Sequence, residues 1–408
     1  MVGEALHPAD RLACERMAAS QPLWDSLEPA ASAVGLEKQV LLHAGPPFGS
    51  ASEITRPILN SACVAAVFEG LAADFDAAEA MIAAGDILLK PAQDHGVVTP
   101  LAAVVSASMP LHGVRCGGDD GRRVFTPING GARPSMRLGL REQAVLDHIR
   151  WLNGPFCETL RRGIDGGIGE GIGEGIALIP LAVAGLQAGD DCHGRTIAAT
   201  EALVGELQSR TPGGIQDAGT LEFMASSPSL FLNLWMAATK CMMTAAAGID
   251  GSSFVTAAAG NGAAVGIQVS GLPGRWFTAA ARPPKGPLDV DLPPERALGA
   301  IGDSAVVEAF GLGAMAFHLS PEQMQRLGPY LPPDSNARVA GLLAAEHPGF
   351  QALGIRLGIT ARAAADLGAG PVVGLGMLDR EGHAGRIGGG IYDMPATPFR
   401  DAVAALGG

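Results

Sequence analysis

The chain is 408 residues long, with a formal charge of -13 and a pI near 5.1. At the soft prior of roughly 150 residues per domain this length points to two or three domains, and the acidic balance without any Lys/Arg run excludes a nucleic-acid surface, which needs a basic face. A hydrophobic content of 48%, with 57 Gly and only 5% aromatics, describes an Ala/Gly-packed enzyme rather than a disordered or fibrous chain.

From Met1 to Arg16 polar and apolar residues alternate without an apolar signal core. No later segment offers the roughly 18 uninterrupted apolar residues of a membrane span, so a soluble, cytoplasmic protein without membrane partners is expected. Residues 1–140 combine β-like runs (Val40 to Leu42, Ile87 to Leu89, Ala103 to Ser106) with a helical stretch from Ser61 to Phe75, a mixed α/β domain. Residues 141–211 read as a helical middle segment, interrupted at 163–176 by a Gly-rich tract with a Gly-Ile-Gly-Glu tandem. Such glycine density predicts a flexible linker or insertion rather than a helix. Residues 212–408 form a second mixed α/β domain, with a helix over Ser229 to Ala247 and strands at Ser253 to Ala257, Ala264 to Val269 and Trp276 to Ala281. Gly368 to Gly374 matches a dinucleotide fingerprint only loosely, having one residue too many and a Pro in the loop. The six Cys lie far apart without CxxC spacing, so reduced thiols are expected, with neither a disulfide framework nor a zinc site.

Five short segments concentrate polar chemistry. The densest is Gly189-Asp190-Asp191-Cys192-His193-Gly194-Arg195, set between the apolar run Leu178 to Gln187 and a helical pattern from Thr196 to Leu207. Gly189 suits the end of the first helix and Asp190 or Asp191 the cap of the second, which places His193 and Arg195 near its first turn; capping acids beside a surface His and Arg fit the same pattern. His43 ends an apolar run before Gly45-Pro46-Pro47, a position that presents side chains, and Asp94 adjoins His95 and would raise its pKa if the two met. Asn261-Gly262, Ser270-Gly271 and Arg275 form a third group, in which small residues admit a ligand and the guanidinium suits a carboxylate or phosphate. Gly302-Asp303-Ser304 before an apolar run reads as a helix start, either an anion site or simply a cap. No HExxH, GxSxG, Walker or kinase signature occurs, while a Ser-His-Asp triad stays open because its members need not be adjacent.

Eight segments occur in one order: Leu42-His43-Ala44-Gly45-Pro46-Pro47, Ser106-Ala107-Ser108-Met109-Pro110, Gly189-Asp190-Asp191-Cys192-His193, Phe231-Leu232-Asn233-Leu234, Asn261-Gly262, Val269-Ser270-Gly271, Arg275-Trp276-Phe277 and Ile301-Gly302-Asp303-Ser304-Ala305. In that order the chain resembles the YlbE-like proteins, a bacterial family whose functional assignment is a subunit of oxamate carbamoyltransferase in anaerobic allantoin breakdown. The resemblance extends from Leu41 to the C-terminus and implies an α+β, multi-domain fold, with two mixed α/β domains and a small helical middle domain. The chain departs from the family pattern at Gln93, Asp94 and Gly96 (a His-rich run ending in His-Asn), at Gly130 (Glu) and at Gly194 (Asn).

The resemblance implies carbamoyl transfer between a small anionic ureido or amide acid, oxamate- or oxalurate-like, and phosphate or carbamoyl phosphate. The reaction passes through a tetrahedral oxyanion and needs a proton carrier, an anion clamp and donors. His193, His95 and His43, with Asp191, are the candidates for proton transfer; Arg195, Arg275, Asn233, Asn261, Gly302, Asp303 and Ser304 are candidates for binding substrate or anion. No metal or other cofactor is expected, and a homo-oligomer is. Two alternatives stand beside this reading: a metal-independent amide or ureide hydrolase, and a non-catalytic subunit docking an acyl-CoA-synthetase-like partner.

Overall fold

A computed structural model describes residues 6–117, 121–132, 134–169 and 175–407. Met1 to Ala5, part of the opening segment read for a signal, and residues 170–174 of the Gly-Ile-Gly-Glu tandem lie outside the described residues. Five strands precede residue 130: β1 (Leu23–Pro29), β2 (Val40–His43), β3 (Leu88–Pro91), β4 (Pro110–Arg115) and β5 (Arg123–Pro127). With the short β6 (Ile176–Ala177) they form an antiparallel sheet in the order β5-β4-β1-β6 and a separate parallel pair, β2 with β3. A parallel pair needs a crossover. Here the helices Arg56–Phe68 and Phe75–Ala84 supply it, the second capped by the Asp74 carboxylate on Ala77 N and ended by left-handed Gly85. The expected helix from Ser61 to Phe75 is thus two helices with a turn between them. The expected strand at Ala103 to Ser106 is an irregular segment that touches β2 through a single Leu42–Val105 bridge.

The C-terminal half holds a second antiparallel sheet. Its strands β7 (Val255–Asn261), β8 (Ala264–Val269), β9 (Phe277–Ala280) and β10 (Ile301–Gly302) lie in the order β10-β7-β8-β9. Two antiparallel pairs follow, β11 (Leu343–Ala345) with β12 (Leu357–Ile359), and the long hairpin β13 (Ala369–Leu378) with β14 (Arg386–Pro395). Gly368 closes the helix Ala361–Leu367 and β13 starts at the next residue, so the glycines of that segment serve a strand.

The fold is α+β and multi-domain. Its main core is organised by the helix Leu230–Ala245, whose apolar residues fall on most of its faces and which is buried almost all round, with Asn233, Thr239 and Lys240 among its buried residues. This core collects Trp24 and Val114 from the first sheet, Leu178 and Leu203 from the middle helices, and Val255 and Phe310 from the C-terminal half. A second core gathers Ile58, Ala62, Leu146 and Ile149 with Leu298 and Leu378. The expectation of reduced thiols does not hold for one pair. Cys116, just after β4, is disulfide-bonded to Cys241 of the central helix, with 5.3 Å between their Cα atoms. The two are 125 residues apart, so spacing carried no sign of the bond. Cys14, Cys63, Cys157 and Cys192 are buried free thiols.

The Gly-rich tract also departs from expectation in its first half. A helix runs over Cys157–Gly169, straight through Gly163 and Gly166. Propensity opposes this, but packing decides it. A Cβ on Gly163 would stand 2.8 Å from Leu207 Cδ2, and one on Gly166 would collide with the Arg210 carbonyl oxygen, so the bare backbone lets this helix lie close against the helix Ile197–Arg210.

A sign reversal tests this packing. Gly→Ala in an open helix stabilises by roughly 0.5–1 kcal/mol. Gly166→Ala is expected instead to destabilise by about 1–3 kcal/mol, the usual cost of overpacking, measured by chemical denaturation.

Candidate functional site

The polar knot after residue 188 is folded by its own carboxylates. The helix Leu178–Gln187 ends, Gly189 turns at φ +93°, and Asp190 then reaches forward to cap the helix Ile197–Arg210 by accepting hydrogen bonds from Ile197 N (3.1 Å) and Ala199 N (2.9 Å). Asp191 folds the loop on itself: Oδ1 accepts from His193 N and Arg195 N at 2.8 Å each, and Oδ2 accepts from Gln323 Nε2 at 3.2 Å. Between them Cys192 is held at φ +63°, a left-handed conformation costly for a side chain with a Cβ. The strained turn fixes where His193 points.

His193 Nδ1 lies 2.7 Å from Glu308 Oε1, and both side chains are buried. Glu308 comes from the short helix Val306–Phe310, and its Oε1 also accepts from Ala314 N and Gly374 N. Gly313, at φ +61°, makes room for the pair, because a Cβ there would overlap the Glu308 carboxylate and stand 3.0 Å from His193 Cβ. Burial alone would lower the His193 pKa, but the charge and hydrogen bond of Glu308, helped by Asp191, outweigh it and the net shift is upward. Burial pushes the Asp191 carboxyl up to about 6 against the hydrogen bonds from Arg195 N and His193 N. With Nδ1 committed to Glu308, His193 keeps Nε2 free of partners among the described residues, the arrangement of an oriented proton carrier.

His193 and Asp191 line a cleft of about 600 Å³ together with Asn233, Ser304, Asn129, Gln323, and three arginines, Arg137, Arg326 and Arg386. The glycines of the β13–β14 hairpin, Gly374, Gly376 and Gly389, form one wall. Leu101, on another wall, is held at φ +47°, so the two non-glycine residues in left-handed conformation among the described residues, Leu101 and Cys192, both belong to segments bordering the cleft.

Of the residues singled out in the sequence, His193, Asp191, Asn233 and Ser304 meet in this cleft. Asp303 lies beside it, buried and turned inward, where it accepts from Gly45 N, Gln93 Nε2, Thr99 N and Thr99 Oγ1. Burial still pushes its carboxyl up to about 6. A helical turn does begin at Asp303 (Asp303–Ala305) and runs into the five-residue helix Val306–Phe310, with Gly302 before it in β10 at φ +117°, but Asp303 N is already donated to Thr99 O. His43 is buried with Nδ1 donating to Ala44 O, and burial pulls its pKa to about 4, a neutral packing group rather than a proton carrier at the cleft. The His95 pKa is lowered by burial and then by Lys90, against Asp94; Asp94 itself accepts from Gln268 Nε2 and Trp276 Nε1. Arg195 is spent on Asp190 (2.5 Å) and Glu322 (2.9 Å). Arg275 is exposed and lies over the Phe277 ring, 4.9 Å from its centroid. Asn261 closes the β7–β8 turn by accepting from Ala263 N and Ala264 N and donating to Pro46 O.

Sequence reasoning passed over Glu308 and the three lining arginines. Glu308 had a readable sign, an acid alone in the apolar run Val306 to Phe310. The departures from the family pattern also have physical sense. A Cβ on Gly194 would overlap Gln323 Nε2, and one on Gly130 would stand 2.7 Å from Phe223 Cζ, so Gln323 and Phe223 occupy the space that larger residues would need.

The family model of the oxamate carbamoyltransferase subunit AllG matches residues 87–304. The chain is 31% identical to the oxamate carbamoyltransferase subunit AllG of Escherichia coli, over 98% of this chain and 97% of that one. It is 32% identical to the uncharacterized protein YahG of the same organism, over 98% and 86%. A crystal structure of a conserved protein of unknown function from Enterococcus faecalis superposes with a TM-score of 0.88 at 28% identity, covering 98% of this chain and 96% of that one. Among the described residues no helix is long and apolar enough to cross a membrane, and no group of His, Cys, Asp and Glu side chains is arranged to hold a metal ion.

The raised His193 pKa sets a pH signature. A histidine whose folded pKa exceeds its unfolded value of 6.5 adds stability that is fully present below pH 6.5 and is lost as pH rises through the folded pKa. The melting-temperature gap between wild type and His193→Asn is therefore expected to be widest below pH 6.5 and to narrow as pH rises through the folded pKa. A gap independent of pH would contradict the ion pair.

Proposed function

Because the chain belongs to the AllG family of oxamate carbamoyltransferase subunits, we propose that it carries out carbamoyl transfer in the His193 cleft, interconverting a ureido acid of the oxalurate type and phosphate with carbamoyl phosphate and oxamate. The observation that carries this reading is the buried His193–Glu308 pair opening onto a cleft lined by guanidinium groups. In the phosphorolytic direction a phosphate oxygen attacks the terminal ureido carbonyl carbon and a tetrahedral oxyanion forms. The bond from that carbon to the inner nitrogen then breaks, the carbonyl stays with phosphate as carbamoyl phosphate, and the departing amide nitrogen takes one proton. His193 supplies that proton from Nε2 while Nδ1 stays hydrogen-bonded to Glu308, and recovers it in the reverse direction. Ser304, one of the serines lining the cleft, supplies a hydroxyl donor to the oxyanion.

Asp191 acts on this site through the loop. Its oxygens are occupied by His193 N, Arg195 N and Gln323, so it positions the imidazole instead of exchanging protons with substrate. The relative's name describes a subunit, which supports a complex in which this chain meets other polypeptides, an acyl-CoA-synthetase-like subunit or further copies of itself.

Product analysis with oxalurate tests the reading. Wild type is expected to form carbamoyl phosphate and oxamate only when phosphate is present. His193→Ala is expected to lose about 10² to 10⁴ in rate, the usual contribution of a positioned acid or base, while still melting cooperatively. Arg275→Ala, outside the cleft, is expected to keep near-normal turnover. Release of oxamate at the same rate in phosphate-free buffer would replace transfer by hydrolysis.

A further inference from the structure

The cleft carries more positive charge than its own walls neutralise. Arg137 is half-buried, and its hydrogen bonds run only to neutral acceptors: Nη1 donates to Asn129 Oδ1, Gly130 O and Ser135 Oγ, and Nη2 to Gly131 O. Among the described residues no carboxylate pairs with it, and no hydrogen bond uses its Nε. Arg386 faces it across the same cleft, and its nearest acid is Asp289 at 3.5 Å, which Arg326 also claims at 3.1 Å. Arg326 and Arg386 therefore share one carboxylate, and Arg137 pairs with none among the described residues. The acid among the lining residues, Asp191, has both oxygens occupied by the loop and Gln323.

Folded proteins pair their sequestered charges, because an unpaired one loses hydration without compensation. Here the two like charges act on each other: burial, and then Arg386, bring the Arg137 pKa down to about 10. The surroundings keep the arrangement open. A Cβ at Gly376 would stand 3.5 Å from Arg386 Nε, and one at Gly389 would stand 3.1 Å from Arg386 Nη2, so the glycines of the hairpin leave the guanidinium uncovered. The acceptors on Arg137 account for Nη1 and one Nη2 proton and leave Nε and the second Nη2 proton without a partner among the described residues, donors suited to the oxygens of an oxyanion.

We propose that Arg137 and Arg386 together bind the oxyanion end of the ligand, with the ligand supplying the negative charge that the cleft walls lack. For the ureido acid named above this is its carboxylate, held at the arginine end of the cleft while the carbamoyl group reaches toward His193. That identification rests on the carbamoyl-transfer reading; the oxyanion site itself does not. The same donors suit a free phosphate, so the two sources are separated by experiment.

The test titrates oxamate and inorganic phosphate separately into the full chain and reads the melting temperature, since a ligand that binds only the folded state stabilises it in proportion to its concentration and affinity. In wild type, stabilisation by at least one anion is expected. Arg386→Gln should weaken that anion's binding by about tenfold or more, and Arg137→Lys, which keeps the charge and loses the guanidinium donors, should do the same. Without ligand, Arg386→Gln should melt at or above wild type, because removing one cation relieves the other, and this also shows that the variant folds. Selective loss with oxamate assigns the site to the carboxylate; selective loss with phosphate assigns it to phosphate. Stabilisation by both anions that is unchanged in both variants overturns the site, as does wild type unaffected by either. An arginine-dependent anion effect without carbamoyl phosphate formation would leave this site standing and remove the transfer reading alone.

Discussion

The hydrogen bond between His193 and Glu308 is the contact on which the cleft is built. It joins the loop after the helix Leu178–Gln187 to the short helix after β10, segments 115 residues apart, and Glu308 extends the link to the third wall through Gly374 N of β13. Three parts of the chain are thus locked at a single carboxylate oxygen. The arrangement tolerates little variation in bulk. Gly313 must be a glycine for the pair to close, and the left-handed turn at Cys192 is held by hydrogen bonds from His193 N and Arg195 N back to Asp191.

The buried acids around the site divide the work. Asp190 caps a helix, Asp191 closes a loop, and Asp303 ties Gly45, Gln93 and Thr99 together from the N-terminal strands to the C-terminal sheet. Each oxygen of these three is met by at least one donor, usually a backbone N–H, which is how a carboxylate withstands burial. Glu308 turns an oxygen toward an imidazole, that of His193. The guanidinium groups show the opposite economy, for Arg195 is fully committed to protein acids while Arg137 is met only by neutral groups. Charge satisfied within the fold marks scaffold; charge left over marks the place for a ligand.

The parts of this design visible in the sequence were the local ones. The helix Leu178–Gln187, the turn at Gly189 and the capping role of Asp190 follow from apolar runs and short-range chemistry, and β8 and β9 follow from apolar segments between turn residues. What escaped were pairings set by tertiary approach. Neither Arg137 with Arg386 nor Cys116 with Cys241 has any pattern in spacing, and Arg195 and Arg275 looked as suitable for an anion as the arginines that line the cleft. The Gly-rich tract misled for a related reason. Glycine weakens an isolated helix, yet beside another helix it removes the side chain that would keep the two apart.

Glu308 holds His193 toward its charged form at the wall of the cleft. The most direct measurement is the titration of the His193 ring by NMR in wild type and in Glu308→Gln. The midpoint is expected above 6.5 in wild type and below 6.5 in the variant, where burial acts without the opposing carboxylate. The same midpoint in both proteins, or a wild-type midpoint below 6.5, would contradict it.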